Sequence, residues 1–387
     1  MNARSNLLQP APVAPTSRSA FTLVEMLVVI SIIGILAAIL LPAVTSVLRS
    51  AREAALKAEV QSLSEGIERY QSKFGDYPPD FMNWNIVERH YRKILPDIAA
   101  SELQLLKTMC WNASTNTYDP TAMDRAEALV WALGGYSSDP QYPFTGVGGP
   151  LALLTGATDP TNPAQYHYNI DRLNGMVELD PQKLSLRKLD DSAPVSVSNR
   201  ITTTDDVSGG DLFPVYRARE DSAPYVYFDS RTYSSIETPS DPNTINGFGT
   251  TVEGDRDVVR PVMSDSVNPN PQMSGTTYGS YANAATAFLF MNDRTFQVLS
   301  PGLDGRYGAV ASGGPAASDN FPAYWLYPSG QLVYAIPGAG SPADLKDSRV
   351  QRYNITSAYS DVTTDTFEKD NLASFTQSSF DNDLPSQ

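Results

Sequence analysis

Cysteine is almost absent from this chain: Cys110 is the single one among 387 residues. No intrachain disulfide can form, so a domain exported with this composition must be held by its core, with a metal as the other available means. Histidine is nearly as scarce. His90 lies in the charged run Glu88-Arg89-His90-Tyr91-Arg92-Lys93 and reads as part of a solvated helix face, while His167, between Tyr166 and Tyr168, reads as a structural strand residue. Positive charge is also short: 28 Lys and Arg against 43 Asp and Glu give a net charge of −15. That balance excludes the basic footprint that nucleic acid requires. Catalytic signatures are missing as well. There is no G-x-S-x-G, no H-E-x-x-H and no phosphate loop ending in Gly-Lys-Ser/Thr. Gly146-Val147-Gly148-Gly149-Pro150 lacks the Lys and reads as a turn. These absences point away from an enzyme, and no internal repeat is present.

What is present begins with a long apolar run. Phe21 to Leu41 has only Thr22, Glu25 and Ser31 as polar residues. As a helix it spans about 30 Å, the thickness of a bilayer core. The preceding stretch, Met1 to Ala20, holds Arg4 and Arg18 and no acid. An ordinary secretory signal has a shorter apolar stretch with the small-residue cut site after it. Here the small residue, Ala20, stands before the run, so a cut there keeps the run on the mature chain. Arg49, Arg52 and Lys57 follow closely, which leaves the positive-inside count nearly balanced. Glu25 is the anomaly, because an ionised carboxylate within a bilayer is costly and needs a partner.

These residues resemble the type IV prepilin family, which includes the pseudopilins of type II secretion. The resemblance rests on Ala20, Phe21-Thr22-Leu23-Val24-Glu25, the apolar run and Pro42, about 25 residues in all. It implies a cytoplasmic leader over 1–20, a cut between Ala20 and Phe21 by a prepilin peptidase, and N-methylation of the new Phe21 amine by the same enzyme. It also implies a partner for Glu25: the Phe21 amine of a neighbouring subunit, a pairing that sets register during assembly. The family usually has Gly before the cut, where this chain has Ala20.

Beyond Pro42 the helical period continues. Val44, Leu48, Ala51, Ala55, Leu63, Ile67, Tyr70 and Phe74 recur every three or four residues, with one gap of eight at Glu59. One helix is therefore expected over 21–75, transmembrane over 21–41, kinked at Pro42 and ended by Gly75-Asp76-Tyr77-Pro78-Pro79. Its lower half should pack on its own domain and its upper half on neighbours. Residues 76–354 read as one exported α+β domain and 355–387 as a loosely ordered tail. Ser101-Glu102-Leu103-Gln104 predicts a capping box opening a helix through Met109, and Asp119-Pro120 a helix over Thr121 to Leu133. Strands are expected at Tyr225–Asp229, Ala285–Met291, Thr295–Ser300 and Gln331–Ile336, with Asn292-Asp293 turning a hairpin between the second and third. Asp191–Gly210, Thr238–Tyr281 and Ala309–Asn320 read as loops or insertions. The fold class is thus α+β and pilin-like: a long N-terminal helix on a domain with an antiparallel sheet and long insertions.

Phe296 to Gly308, "FQVLSPGLDGRYG", followed by Asp319-Asn320-Phe321, resembles the C-terminal strand and loop of the major pseudopilin. In that family the loop binds calcium. The resemblance implies Asp304 and Asp319 as carboxylate ligands, with Leu299 and Ser300 offering carbonyls, toward the six to eight oxygens calcium takes. The alternative is a plain Asp-Gly turn without metal.

The function implied is a pseudopilin-like subunit. It waits in the bacterial inner membrane as a single-pass precursor with its C-terminal domain in the periplasm. It then joins other pseudopilins, through the inner-membrane assembly platform, in a filament that drives protein export. Two alternatives stay open: a true type IV pilin serving adhesion, motility or DNA uptake, and a membrane-anchored binding or hydrolytic domain that reuses a prepilin leader.

Overall fold

The computed structural model describes residues 22–112, 117–118, 123–184 except 157 and 161, 213–219, 222–233, 247–252, 255–267, 273–274, 277–278, 288–307, 323–328, 331–336, 349–354 and 370–380. The chain divides into two compact units, Met1–Ala51 and Arg52–Gln387. Helix α1 spans Leu23–Phe74 with Pro42 inside it. From Leu23 to Leu48 its large apolar side chains are exposed. From Lys57 onward one face is buried, through Lys57, Val60, Leu63, Gly66, Ile67 and Tyr70. Val60 closes the gap that Glu59 leaves in the sequence pattern, so the buried stripe is continuous. Glu59 itself is half-buried and accepts from Lys183 Nζ at 2.5 Å, Tyr216 Oη at 2.9 Å and Tyr225 Oη at 2.6 Å. The helix stops at Gly75, whose φ of 71° suits glycine at a C-terminal cap.

Among the described residues three shorter α-helices follow it. In α2 (Trp84–Ile94) the Asn83 side chain accepts from Asn85 N, and Val87, His90 and Tyr91 form the buried face. This corrects the solvated reading of His90, whose exposure is only 1%. Spacings of three and four put these residues together, while the charges around them fill the other side. Helix α3 (Ala100–Met109) has Ala99 at its cap without a side-chain bond, so Ser101 and Gln104 are not its capping box. Glu102 instead reaches across to accept from the Phe144 and Thr145 amides and the Thr145 hydroxyl. Helix α4 (Arg125–Leu133) carries a true capping box from Asp124 and Glu127, a turn later than the expected start; residues 119–122 lie outside the described residues.

The strands are β1 (Trp111–Asn112), β2 (Thr117–Tyr118), β3 (Leu151–Leu153), β4 (Tyr166–Tyr168), β5 (Val226–Asp229), β6 (Phe248–Val252), β7 (Asp255–Val259), β8 (Met263–Val267), β9 (Met273–Ser274), β10 (Thr277–Tyr278), β11 (Phe288–Phe290), β12 (Phe296–Ser300), β13 (Ala323–Tyr327), β14 (Gln331–Ile336), β15 (Arg349–Asn354) and β16 (Leu372–Ala373). Pairing gives a three-stranded sheet β16-β12-β5, a five-stranded sheet β11-β8-β13-β14-β15, and the two-stranded pairs β1-β2, β3-β4, β6-β7 and β9-β10. All pairs are antiparallel except β13 with β8. The fold is α+β, a long N-terminal apolar helix followed by a domain of antiparallel sheets, in agreement with the pilin-like expectation. Strands β5 and β12 are buried throughout. The aromatic centre is Trp131, with the rings of Phe144 and Phe213 at 5.0 and 4.9 Å.

Three further readings change. Thr238–Tyr281 is not simply loop, because β6 to β10 fall in it; their Ser, Thr and Asp residues mask the strand pattern. The Asn292 turn exists, with φ of 54°, but it does not make a hairpin, since β11 pairs with β8 while β12 pairs with β5 and β16. The Gln297 side chain explains the divergence: it bonds both backbone groups of Val262 and the Met291 carbonyl, so the turn passes the chain from one sheet to the other. Finally, residues 370–380 of the expected loose tail are packed, with Leu372 and Ala373 fully buried. The segments 191–210 and 309–320 lie outside the described residues.

Candidate functional site

The N-terminal end of α1 resolves the question posed by Glu25. Thr22 and Glu25 are three apart, the spacing of a helix capping box. The Thr22 amide and hydroxyl donate to Glu25 Oε2 at 2.8 and 2.7 Å, and the Glu25 amide donates to Thr22 Oγ1 at 3.2 Å. In a single chain, then, the carboxylate already serves its own helix terminus, where amides lack partners and the helix dipole favours negative charge. Both bonds fall on Oε2; among the described residues no group bonds to Oε1. Ser31 is satisfied in the same local way, its hydroxyl donating to the Leu27 carbonyl at 2.7 Å. Thr45 donates to the Pro42 carbonyl at 2.9 Å. The polar side chains Thr22, Glu25 and Ser31 are thereby paired within the helix, as a segment in lipid requires. Among the described residues α1 is the one helix long and apolar enough to cross a membrane. Ala20 and Phe21, the expected cleavage and methylation residues, lie outside the described residues.

Residues 15–41 match the family described as the prokaryotic N-terminal methylation motif. The segment is the prepilin-type signature of pilins and pseudopilins. Ala20, Phe21, Glu25 and the apolar run all fall inside it, while Pro42 follows its last residue. No curated protein and no solved structure matches the chain. The prepilin motif therefore supports a membrane-anchored, methylated chain of pilin or pseudopilin type, processed by a prepilin peptidase.

The second expected site lies at the end of β12. Leu299 is buried in the sheet, and the Tyr307 hydroxyl reaches its carbonyl and that of Pro224, each at 2.8 Å. Ser300 is buried and pairs with Leu372. Asp304 is exposed, and its Oδ1 accepts the Arg306 amide at 2.8 Å, a local turn bond. Asp319 lies outside the described residues. Two residues that the sequence reading did not single out complete the loop. Arg219 donates to the carbonyls of Leu303 and Asp304, and Asp370 accepts the amides of the same two residues. Nothing in the sequence near Phe296–Gly308 signals either, since they come from 84 positions upstream of Leu303 and 67 downstream. Among the described residues no three His, Cys, Asp or Glu side chains gather as a metal cluster.

Proposed function

We propose that this chain is a pseudopilin-like structural subunit, not an enzyme, that assembles through α1 into a filament of the type II secretion kind. The observation that carries this reading is the Thr22–Glu25 box at the head of an all-round apolar helix inside a prepilin motif. The cap keeps the carboxylate tolerable in the isolated membrane precursor, and the Oε1 atom remains for a second donor. On this reading that donor is the methylated Phe21 amine of a neighbouring copy, so the costly charge becomes a register device only on assembly. The other partners are the peptidase, the inner-membrane assembly platform and further pseudopilins, and the domain beyond α1 lies in the periplasm. The missing cysteine pair supports secretion over a true pilus.

Mass spectrometry of the membrane-extracted protein tests the reading: the mature chain should begin with N-methylated Phe21. An intact Met1, or a cut beyond Leu41, would remove the proposal. In the native host, with Glu25→Ala as the sole copy, membrane insertion should remain normal while filament formation and export fall at least tenfold. Loss of a surface appendage with export unchanged would assign the chain to a true pilus instead.

A further inference from the structure

The loop that resembles a calcium site is wired for a different cation. Leu303 and Asp304 point both carbonyls at the Arg219 guanidinium, with Nη1 2.7 Å from Leu303 O and Nη2 3.2 Å from Asp304 O. The amides of the same two residues donate to Asp370 Oδ2 at 2.8 and 3.1 Å. The peptide dipoles of the loop are thus sorted, oxygens toward a fixed positive group and N–H bonds toward a fixed negative one. Calcium needs six to eight oxygens at about 2.3–2.6 Å. Carbonyls that already hold a guanidinium at hydrogen-bond distance cannot turn to such an ion without bringing two cations together. The Leu299 carbonyl is engaged by Tyr307 and Asp304 Oδ1 by the Arg306 amide, so two of the three expected donors among the described residues already have protein partners.

The glycines agree. Gly302 and Gly305 both have positive φ, 70° and 84°. A side chain at Gly302 would run into the Asp370 carbonyl, and one at Gly305 would meet Arg219 Nη2 at 2.8 Å. Each glycine of the Gly-x-x-Gly turn therefore admits one of the two charged partners. Asp370 in turn begins a buried strap. Asn371 Nδ2 donates to the Tyr307 carbonyl at 3.0 Å and β16 joins β12. From α1, Lys57 Nζ donates to the Ala373 carbonyl at 2.9 Å, and Glu53 Oε1 accepts the Ser379 amide at 3.0 Å.

We propose that the Gly302–Gly305 loop is closed by a built-in cation, the Arg219 guanidinium, together with the Asp370 carboxylate, and that this clamp takes the place of calcium and ties the loop through residues 370–380 to α1. The proposal holds whichever filament the chain enters. It is tested on the full-length protein in detergent micelles by thermal unfolding, in millimolar calcium and in chelator, with native-state trypsin cleavage at Arg306 as a local readout. The wild type should melt at the same temperature and be cut at Arg306 at the same slow rate in both media. Arg219→Gln and Asp370→Asn should each lower the melting temperature by several degrees in chelator and speed the Arg306 cut at least tenfold. Arg219→Lys should recover part of the loss, since one ammonium keeps the charge but not the fork that spans both carbonyls. A calcium response confined to Arg219→Gln also supports the clamp, because the vacated carbonyls then face a free cation. A wild type stabilised or protected by calcium, or wild-type behaviour of both substitutions in chelator, would overturn it.

Discussion

The ring of His90 sits one step from the end of a chain of polar groups through the aromatic core. Trp131 Nε1 can only donate, and it lies 2.7 Å from the Tyr91 hydroxyl. Tyr91 and Tyr136 follow at 3.2 Å, Tyr136 and Tyr70 at 3.5 Å, Tyr70 and His90 Nε2 at 2.8 Å, and His90 Nδ1 and Asp76 Oδ2 at 3.0 Å. An ionised Asp76 can only accept, so His90 Nδ1 donates to it, and a neutral His90 then accepts from the Tyr70 hydroxyl at Nε2. Burial alone would raise Asp76, but the His90 bond and the charges of Arg231 and Lys93 outweigh it and hold the carboxyl at about 2. Burial pushes His90 below its ordinary 6.5, against the pull of Asp76; the positive Arg231 and Lys93 add to the lowering. The signs follow. A base lowered on folding binds fewer protons folded than unfolded, so stability declines as pH falls below about 6.5. A carboxyl lowered on folding contributes fully above its unfolded value near 4, and that contribution goes as pH falls toward 2. Urea unfolding midpoints should therefore drop between pH 7.5 and 5, then again below 4. His90→Gln should flatten the upper step while leaving the lower one, and an unchanged upper step would mean that His90 is not the titrating group.

At the scale of elements, α1 shows how close packing decides a residue that helix propensity alone would reject. Gly66 lies mid-helix, where Ala is better by about 1 kcal/mol. A Cβ there would collide with Val177 Cγ2 and stand 3.0 Å from Leu133 Cδ2, so the helix lies directly on the chain after α4. Gly66→Ala should lower stability by about 1–3 kcal/mol through overpacking, despite the propensity gain. Gly34→Ala, with nothing within 4 Å of its Cβ, meets no clash and should not lower the unfolding midpoint. A stabilised Gly66→Ala variant would show that this contact yields easily. The same helix shows which features sequence reveals. Its apolar run and the stop at Gly75 are local signals, and β5, β12 and β14 announce themselves by Tyr, Phe, Val and Leu in short runs. Features that depend on distant partners were hidden. His90 was masked by its charged neighbours, Glu102 by a bonding target 42 residues away at Phe144, and the divergence of β11 from β12 by a single Gln297 side chain. Arg219 and Asp370 belong to the same class, since only the fold brings them to Leu303 and Asp304.

At the scale of the whole molecule, the boundary that matters is Arg52, not the end of α1. The second compact unit starts there, so the last turns of the helix belong to the domain core. Val60, Leu63, Ile67 and Tyr70 are each at most 1% exposed and belong to the main hydrophobic cluster. Each buried apolar side chain of this size is worth roughly 1.5–3 kcal/mol. Four of them approach the whole stability of an ordinary domain, about 5–15 kcal/mol. Glu59 adds to the dependence, because it satisfies the hydroxyls of Tyr216 and Tyr225. A chain starting at Arg52 removes the exposed apolar run and should be soluble without detergent, with one cooperative urea transition followed by near-ultraviolet circular dichroism. A chain starting at Asp76, just past the helix, should show no cooperative transition and should aggregate. Equal midpoints for the two would mean that α1 only rests on the domain. The expected difference means instead that the stretch from Arg52 to Phe74 is part of the domain's own core.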